Sequence, residues 1–592
     1  MKQEDTDTSV ETTASGFFVR RRAALLCALL LTLMAANMLS VVRRKSLTVD
    51  EPLLIAAGYY HLTAGDFRPV NEHPPFAKVL GALPIVLMET QAPAIDSRPH
   101  PDYDYFLGLF HEFWLANDAR YETLAFWSRV PLVAVTLLLG VLVYAVARRM
   151  WNERVALFAV ALYSFEPTVL AHGRVVQTDI PSAFAYLLFS FVLYGYLRAP
   201  APRRAALVGL TAGLAVVTKF SMVVLGPVLC VVFVALFLVG PRRGLGRRGA
   251  LASQAVVVAL AAVLAVNAAY FFRQREPEPY NFSLTRIGLS EGMDATLRGP
   301  LAFGHLALQK IFPVDFVSGV DWQLAHNRDG HPAGLLGQHS RHGWWYYFPV
   351  AFALKTPLPF LLLSMASIVW ALWMLFRRRG PQGRLLFLLV PLALFTLLVM
   401  QSKINIGVRY FLPAFPFLLI AAGAFLDWLL GRFPRRKGAA LALAAVLLGW
   451  VGIEAVRAYP DHMSYMNQLA RGRPHWYYLS DSNVEWGDDI RDLALYLRER
   501  GETRIGAALL NWQVLEHYRV EQASIFTPPG IASEETRYVA IGASLLNGST
   551  VPGGIDGVQL TEEQRVNYFD QYRRRTPEKI FGNSIYLYRM KE

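Results

Sequence analysis

The residues with the clearest capacity for chemistry are acidic side chains that follow the first long apolar segment. Asp50 and Glu51 come soon after the apolar run at 23–42, and Glu72 lies further along in a proline-rich stretch. Carboxylates beside a membrane helix are costly unless they are solvated, paired or used. A positioned carboxylate can take the proton of a hydroxyl group as a general base. The sequence therefore predicts either a solvated loop or a reactive carboxylate at the mouth of a membrane cavity.

The elements that must position these residues are apolar segments long enough to cross a bilayer. The chain has 592 residues, 54% of them hydrophobic, and a mean hydropathy of +0.31. These values are typical of a polytopic α-helical membrane protein. Segment length predicts about eleven spans, at residues 23–42, 128–147, 155–171, 180–197, 205–218, 221–239, 250–272, 357–376, 384–400, 410–430 and 438–456.

The charges of the connecting loops predict the orientation. The net charge is +13, and the basic residues cluster in every second connection, as the positive-inside rule requires. Topology thus accounts for the charge without a nucleic-acid partner. With a cytoplasmic N-terminus and an odd number of spans, the C-terminal part lies outside the plasma (inner) membrane. The outer face then collects these ionisable residues: Asp50, Glu51, Glu72, Asp179, Lys219, Lys355 and Arg409.

The first outer loop, at about 43–127, is too long for a simple hairpin. Helical periodicity at 52–62 and 76–88 gives each of these stretches one apolar face. Such a pattern predicts helices that lie in the membrane interface.

The composition changes at residue 457 to that of a soluble protein. We therefore predict a membrane domain at 1–456 and an extracytoplasmic α/β domain at 457–592. Within the second domain, a helix is predicted at 488–500 and strands at 504–511 and 538–541. Acidic residues near the start of this helix fit either a metal site or the favourable N-terminus of a helix; they are Asp481, Glu485, Asp488 and Asp489.

Several segments, taken in order, resemble the protein O-mannosyltransferase-like glycosyltransferases (family 39) of the GT-C fold, in their bacterial form. The resemblance runs from about residue 48 to 410 and has a further match around Trp486. The segments are Asp50-Glu51, Glu72-His73-Pro74-Pro75-Phe76-Ala77-Lys78, Thr178-Asp179, Gly343-Trp344-Trp345-Tyr346-Tyr347-Phe348, Lys355-Thr356-Pro357, Asn405-Ile406-Gly407-Val408-Arg409-Tyr410 and Asp481-Ser482-Asn483-Val484-Glu485-Trp486-Gly487.

This resemblance implies transfer of a sugar, mannose or a similar hexose, from a polyprenyl-phosphate carrier to an acceptor hydroxyl on the outer face of the membrane. Asp50 matches the aspartate taken as catalytic base, with Glu51 beside it. Glu72 and Asp179 match acids that would bind the acceptor or a metal. Charge and position assign the donor phosphate to Arg409, Lys355 and Lys78. The loop at 273–343 is too short for the β-trefoil insert of eukaryotic members, so a protein, a lipid and another glycan all stay open as acceptors.

The chemistry suits these residue types. An acceptor hydroxyl is a poor nucleophile, so a carboxylate must take its proton, and a single displacement inverts the anomeric centre. The charge that develops on the leaving lipid phosphate needs cations, such as the guanidinium fork of Arg409. Mg²⁺ or Mn²⁺ held by Asp179 and Glu72 would serve the same purpose, and the basic cluster makes such a metal optional.

Two other functions fit parts of the sequence. A transporter or flippase for a lipid-linked sugar would use a similar cavity, but it would carry ionisable residues near the middle of its helices. A binding or scaffold protein built on the C-terminal domain would need the membrane part only as an anchor, for which so many spans are excessive. An enzyme of the kind described above would carry its ionisable residues at helix ends.

Overall fold

The helices of the membrane part lie where the apolar pattern predicts them. A computed structural model of the protein describes residues 7–96, 103–239, 248–278, 291–511, 514–526, 536–555 and 557–590. Within these ranges, nine helices are long and apolar enough to cross a membrane, which confirms a polytopic helical membrane protein. They coincide with nine predicted spans and cover Arg21–Val42, Asp118–Met150, Asp179–Arg198, Phe220–Leu238, Arg248–Ala269, Leu358–Phe376, Gln382–Met400, Val408–Arg432 and Pro434–Ala458.

The α-helices are numbered here in chain order. Those of the membrane part and its loops are α1 (Asp7–Val42), α2 (Glu51–Thr63), α3 (Pro75–Val86), α4 (Tyr103–Ala116), α5 (Tyr121–Met150), α6 (Glu153–Ser164), α7 (Pro167–His172), α8 (Asp179–Arg198), α9 (Pro202–Thr218), α10 (Leu225–Val239), α11 (Arg248–Ala269), α12 (Glu291–Ile311), α13 (Val314–Asp329), α14 (Tyr347–Lys355), α15 (Leu358–Phe376), α16 (Gln382–Met400), α17 (Phe415–Arg432) and α18 (Lys437–Ala458). Short 3-10 turns precede several of them, and the turn Val408–Ala414 leads directly into α17. A small hairpin of β1 (Ala333–Leu335) and β2 (Gln338–Ser340) lies between α13 and α14.

The two remaining predicted spans fall on shorter helices. The apolar run at 155–171 is divided between α6 and α7, because Pro167 begins a new helix and Glu166 caps it by accepting a hydrogen bond from the Val169 amide at 2.8 Å. The run at 205–218 forms α9, which has 17 residues. Neither reaches the length of the nine helices above, and the count of eleven stays a prediction.

The helices predicted in the first outer loop are present as α2 and α3. They pack closely against each other at Gly58, where an added Cβ atom would lie 2.0 Å from the carbonyl oxygen of Lys78. No side chain larger than hydrogen fits between the two backbones there. Leu54, Ile55 and Ala57 of α2 are buried, so this pair forms a packed layer, and it places Asp50 and Glu72 at its ends.

The C-terminal part contains a five-stranded mixed sheet in which β3 (Arg504–Ala508) lies between β4 (Glu521–Ser524) and β5 (Tyr538–Gly542), and β5 is followed by β9 (Ile585–Arg589) and the edge strand β8 (Lys579–Phe581). Strands β4, β3 and β5 are parallel to one another, and β9 and β8 complete the sheet in antiparallel fashion. The predicted helix and strands are confirmed, with bounds a few residues different. The elements are α19 (His475–Tyr478), α20 (Ile490–Arg498), β3 (Arg504–Ala508), α21 (Val514–His517), β4 (Glu521–Ser524), β5 (Tyr538–Gly542), α22 (Ala543–Asn547), β6 (Gly554–Ile555), β7 (Val558–Gln559), α23 (Glu562–Val566), α24 (Asp570–Arg573), β8 (Lys579–Phe581) and β9 (Ile585–Arg589).

The C-terminal part is hydrogen-bonded to the chain that follows α1. The Val49 amide donates to the carbonyl oxygen of Trp486 at 2.9 Å, and the Ser46 amide donates to that of Asp488 at 3.0 Å. The side chain of Asn511 donates to the Leu47 carbonyl at 2.9 Å. These contacts place the C-terminal part beside Asp50. The predicted division at 456/457 falls within the last turn of α18, and it stays a prediction.

Candidate active site

A cavity of about 850 Å³ lies where the C-terminal part meets the first outer loop and the turn before α17. This volume is within the usual range of small-molecule sites. Its wall comes from segments that are far apart in the sequence, and it includes Asp50, Glu72, Arg409, Asp481, Trp486 and Arg565. Charged side chains of both signs therefore face one shared space.

Arg409 is the central cation of this cavity. Its Nη2 atom lies 3.8 Å from Oδ2 of Asp50, and its Nη1 atom lies 3.5 Å from Oδ2 of Asp179. Its Nε atom donates to the Ser482 hydroxyl at 3.0 Å. The guanidinium carbon lies 4.2 Å from the centre of the Trp486 ring, which is the geometry of a cation–π contact. Arg409 is thus held on several sides, with its positive charge directed at the cavity.

Asp50 faces Arg409 from the start of α2. It occupies the N-cap position, but its carboxylate makes no capping hydrogen bond in the described structure. Instead it accepts a hydrogen bond from the Gln177 side chain at 2.9 Å, and the side chain stays 30% exposed. Burial raises the pKa of Asp50 to about 6, and the charge of Arg409 opposes that rise. A carboxylate with such a pKa is well suited to accept a proton near neutral pH.

Asp179 lies behind Arg409, at the first position of α8. It is buried and forms an ion pair with Lys219 on one oxygen, while Arg409 approaches the other. Lys219 is in turn 4.0 Å from the centre of the Tyr410 ring. Two protein cations therefore already balance this carboxylate. Such an arrangement orients Arg409 and does not fit the predicted Mg²⁺ or Mn²⁺, because a divalent ion would have to displace one of these cations.

Glu72 reaches the cavity from the loop before α3, next to His73. Burial raises the pKa of Glu72. Burial also lowers the pKa of His73 to about 3, with Lys78 and Arg409 adding to the effect, so the imidazole is neutral. These two residues offer the cavity a carboxylate and an uncharged hydrogen-bonding ring.

Glu51 is turned away from the cavity despite its place next to Asp50. Its side chain is fully buried and forms an ion pair with Arg129 at 2.5 Å. Amide groups of Thr48 and Val176 also donate to it, each at 2.8 Å. Both oxygens are therefore occupied by protein donors. This position is far better suited to structure than to the catalytic role predicted beside Asp50.

Lys355 and Lys78, the predicted phosphate ligands besides Arg409, are not among the described residues that line the cavity. Lys355 donates to the carbonyl oxygens of Met463 and Asn483, at 2.6 and 2.5 Å. Lys78 donates to the carbonyl of Val70 at 2.9 Å. Burial lowers the pKa of each lysine to about 7. The structure brings Arg409 to the cavity and holds these two lysines within the surrounding protein.

The four acids considered as a metal cluster have four different surroundings. Asp481 lines the cavity, and Glu485 accepts hydrogen bonds from the amides of Ser544 and Leu510. Asp488 pairs with Arg174 at 2.8 Å, and Asp489 pairs with Lys45. Among the described residues, Asp461, Asp489 and Asp492 form a group of three carboxylates close enough together to ligate one ion. The ammonium group of Lys45 contacts all three, so a lysine takes the place that a metal would need.

Several residues of the site have no role in the sequence-based prediction. Trp486 lies within a segment that carries the resemblance, but the stacking of its ring on Arg409 has no signal in the sequence. Lys219 is an isolated cation at a helix end, and nothing in the pattern connects it to Asp179. Arg565 and the segment 549–553 line the cavity from the C-terminal part. Only the docking of that part could reveal them.

One stretch of the chain matches a known protein family. Residues 122–268 match the family model described as dolichyl-phosphate-mannose-protein mannosyltransferase. The chain matches no curated protein sequence. This stretch of the chain is therefore similar to that family, in line with the resemblance in the motifs of the sequence.

Distant likenesses to solved structures are also found. ArnT from Cupriavidus metallidurans bound to undecaprenyl phosphate is 16% identical, with a TM-score of 0.44, and the match covers 89% of this chain and 93% of that one. The oligosaccharyltransferase AglB from Archaeoglobus fulgidus, in complex with an inhibitory peptide and a dolichol-phosphate, is 14% identical. Its TM-score is 0.44, with 87% of this chain and 69% of that chain covered.

Proposed function

We propose that the protein transfers a sugar, mannose or a similar hexose, from a polyprenyl-phosphate carrier to an acceptor hydroxyl, with Asp50 as the general base. The observation that carries this proposal is the position of Asp50 opposite Arg409 in one cavity, with 3.8 Å between their charged groups. The base must reach the acceptor hydroxyl and the cation must reach the leaving phosphate, so both groups must face one cavity, and the Asp50–Arg409 pair would open when the donor enters. The family description names a lipid phosphate-linked mannose, which supports the donor class.

The reaction would be a single displacement. The acceptor hydroxyl gives its proton to Asp50 while its oxygen forms a bond to the anomeric carbon and the bond from that carbon to the phosphate oxygen breaks. Attack from the face opposite the leaving group inverts the anomeric centre. The bonding pair leaves with the phosphate, whose added charge Arg409 stabilises through charge-assisted hydrogen bonds.

Asp179 and Lys219 are positioning residues in this scheme. Arg409 must keep its orientation while substrates come and go, and the carboxylate of Asp179 together with the Ser482 hydroxyl holds two edges of its guanidinium. Lys219 balances the charge that Asp179 would otherwise carry in a buried place. Such preorganisation lowers the energy that reorganisation would require during the reaction.

The placement of these residues favours an enzyme over a transporter or flippase. Asp179 is the first residue of α8, and Arg409 lies in the turn that precedes α17. Both are at helix ends, whereas a transport path is expected to carry ionisable groups near the bilayer midplane.

We further propose the topology of the chain with eleven crossings. The α6–α7 pair ends at His172, whose ring lies 5.7 Å from that of Trp486 beside the cavity. Lys219, the C-cap residue of α9, pairs with Asp179 at the same face. Both short segments thus return the chain to the cavity side. The basic loops support a cytoplasmic position for the opposite face; under this proposal the N-terminus is cytoplasmic, and the cavity and C-terminal part are outside an inner (plasma) membrane.

The acceptor class stays open among a protein, a lipid and another glycan. One side of the cavity wall comes from the C-terminal part, through Asp481, Trp486 and Arg565, while the first outer loop, α13 and the turn before α17 supply other parts of the wall. We propose that this part forms the acceptor side of the cavity, since the donor must enter from the membrane.

The test is a transfer assay with the full chain in lipid nanodiscs and labelled polyprenyl-phosphate mannose. We expect product of inverted configuration, and a loss of at least about 10²-fold in Asp50→Asn, in line with general-base contributions. Asp104→Asn, a change at an exposed position of α4, should retain full activity. Undiminished transfer by Asp50→Asn, at a matched melting temperature, would remove Asp50 as the base.

A further inference from the structure

A second polar cavity, of about 460 Å³, lies at the opposite end of the membrane helices from the active site. It is formed where α5 and α8 end and where α9 and α16 begin. The helix α8 connects the two places, with Asp179 at one end and Arg198 at the other. Its 20 residues span about 30 Å, which is the thickness of a bilayer core. The second cavity therefore lies at the other membrane face.

Four arginines line this cavity: Arg149, Arg198, Arg204 and Arg384. Neighbouring basic residues are neutralised, since Arg148 pairs with Glu153 at 2.7 Å and Arg154 pairs with Asp427 at 2.9 Å. No ion pair to a carboxylate is found for the four cavity arginines within the described parts of the chain, although Arg204 donates to the carbonyl of Ala199. The positive charge of the cavity is thus available to a ligand.

An apolar groove of about 310 Å³ adjoins the arginine cavity. The two share Tyr194 and Arg198 in their walls. The groove runs along α8, α10 and α16, and its wall includes Leu193, Leu386 and Val390. A cationic end and an apolar groove in continuity are the two features that a lipid with a charged head group requires.

We propose that this composite site binds one anionic phospholipid of the surrounding bilayer, with its phosphate among the four arginines and an acyl chain in the groove. The positive-inside rule accounts for arginines in the loops of this face. It does not account for a set that converges on a cavity, lacks carboxylate partners and opens into an apolar groove. A soluble anion would use only the arginines, and a neutral lipid would use only the groove. An anionic phospholipid uses both.

The test measures lipid binding to the delipidated full chain by native mass spectrometry, with phosphatidylglycerol as the probe. Phosphatidylcholine of the same chain length and inorganic phosphate are the comparison ligands. Arg198→Gln/Arg384→Gln removes two charges from the cavity. The matched control, Arg203→Gln/Arg377→Gln, removes two exposed charges from the same face outside the cavity. Gly383→Phe places a large side chain in the groove without a change in charge. The backbone tolerates a side chain at this position, because an added Cβ atom makes only an ordinary contact with the Tyr194 hydroxyl at 3.4 Å.

We expect one tightly bound phosphatidylglycerol, which the cavity pair weakens by about tenfold or more and which the control pair leaves within about twofold. Gly383→Phe should also weaken it, and phosphatidylcholine should bind at least tenfold more weakly than phosphatidylglycerol. Equal losses in the two double variants would show a general surface attraction and overturn the site. Equal binding of phosphatidylcholine, or displacement of the lipid by millimolar phosphate, would overturn the class of ligand. Melting temperatures of all variants identify any change that merely unfolds the protein.

Discussion

The active-site cavity is open to solvent, whereas the neighbouring interface, which contains the ion pairs Glu51–Arg129 and Arg174–Asp488, is buried. Both regions are rich in charged side chains, but the charges are paired differently in the two. In the cavity, Asp50 has one hydrogen bond from Gln177 and stands 3.8 Å from Arg409. In the interface, Glu51 forms an ion pair with Arg129 at 2.5 Å and accepts hydrogen bonds from two backbone amides. Successive residues at a helix start point in different directions, so adjacent carboxylates of one motif enter these two surroundings.

The difference shows which charges can do chemistry. A carboxylate whose lone pairs are all occupied has none left for a substrate proton, whereas Asp50 keeps free acceptor capacity toward the cavity. The interface also contains the pair Arg174–Asp488 at 2.8 Å. Such pairs link the C-terminal part to the membrane part and position the cavity wall, without contact with the reacting atoms.

The largest effect is expected from Glu51→Gln, which should lower the free energy of unfolding because Glu51 belongs to the buried interface and not to the cavity. The change leaves the guanidinium of Arg129 buried without its countercharge, and removal of one partner of a buried ion pair costs about 3–5 kcal/mol. The free energy of unfolding should fall by this amount in denaturant titrations. Glu112→Gln, at an exposed position of α4, should change it by less than about 0.5 kcal/mol. If Glu51→Gln had unchanged stability but no transfer activity, the result would contradict a structural role and support the catalytic role that the motif predicted for Glu51.

Arg409→Lys tests the cation on the cavity side. A lysine keeps the charge but loses the planar fork that meets Asp50, Asp179 and the ring of Trp486. Loss of a charged hydrogen bond costs about 1.5–3 kcal/mol, so kcat should fall about ten- to a hundredfold.

The control for this variant is Arg341→Lys, a change at another arginine of the cavity wall. Its transfer rate should fall by no more than a few-fold, because no cavity carboxylate is paired with it in the described structure. Equal losses in the two variants would mean that Arg409 has no special role in binding the leaving phosphate.

The pH profile sharpens the assignment of the base. Burial raises the pKa of Asp50 to about 6, so this carboxylate becomes protonated at a higher pH than an ordinary aspartate. Because the base acts only when ionised, kcat/KM should be constant above this pH and fall about tenfold per pH unit below it. The charge of Arg409 lowers the pKa of Asp50, so Arg409→Gln should move the acidic limb to higher pH. If the acidic limb of the kcat/KM profile did not move in Arg409→Gln, a group other than Asp50 would be responsible for that limb.

The smallest effect is expected at the C-terminal wall of the cavity. Arg565→Gln removes a partly exposed cation that lines the cavity from the C-terminal part. We expect KM for the acceptor to rise a few-fold at unchanged kcat, since the reacting atoms keep their partners. Arg574→Gln, a nearby change outside the cavity, should leave both constants as they are. A fall in kcat with unchanged KM would place Arg565 at the reacting atoms and not at the acceptor side.

Local patterns in the sequence predict the elements well. The length of the apolar segments predicts the nine membrane-spanning helices found among the described residues. Helical periodicity predicts α2, α3 and α20 within a few residues. Both signals arise from residues that are neighbours along one element. Asp50, Asp179 and Arg409 come from three separate motifs and lie together in the structure. Lys355 and Lys78 match motifs equally well, but the cavity wall does not include them, since their ammonium groups bind carbonyl oxygens of the surrounding protein.

The sequence by itself determined that this is a polytopic membrane protein with acids and bases at helix ends, because hydropathy and charge are properties of short segments. Only the tertiary structure decided which charge faces the cavity and which is sealed behind it. That choice depends on partners hundreds of residues away, such as Trp486 over Arg409 and Asp488 against Arg174. A buried charge is stable only where a distant segment supplies its countercharge or a cavity supplies solvent, and no local pattern records which of the two it meets.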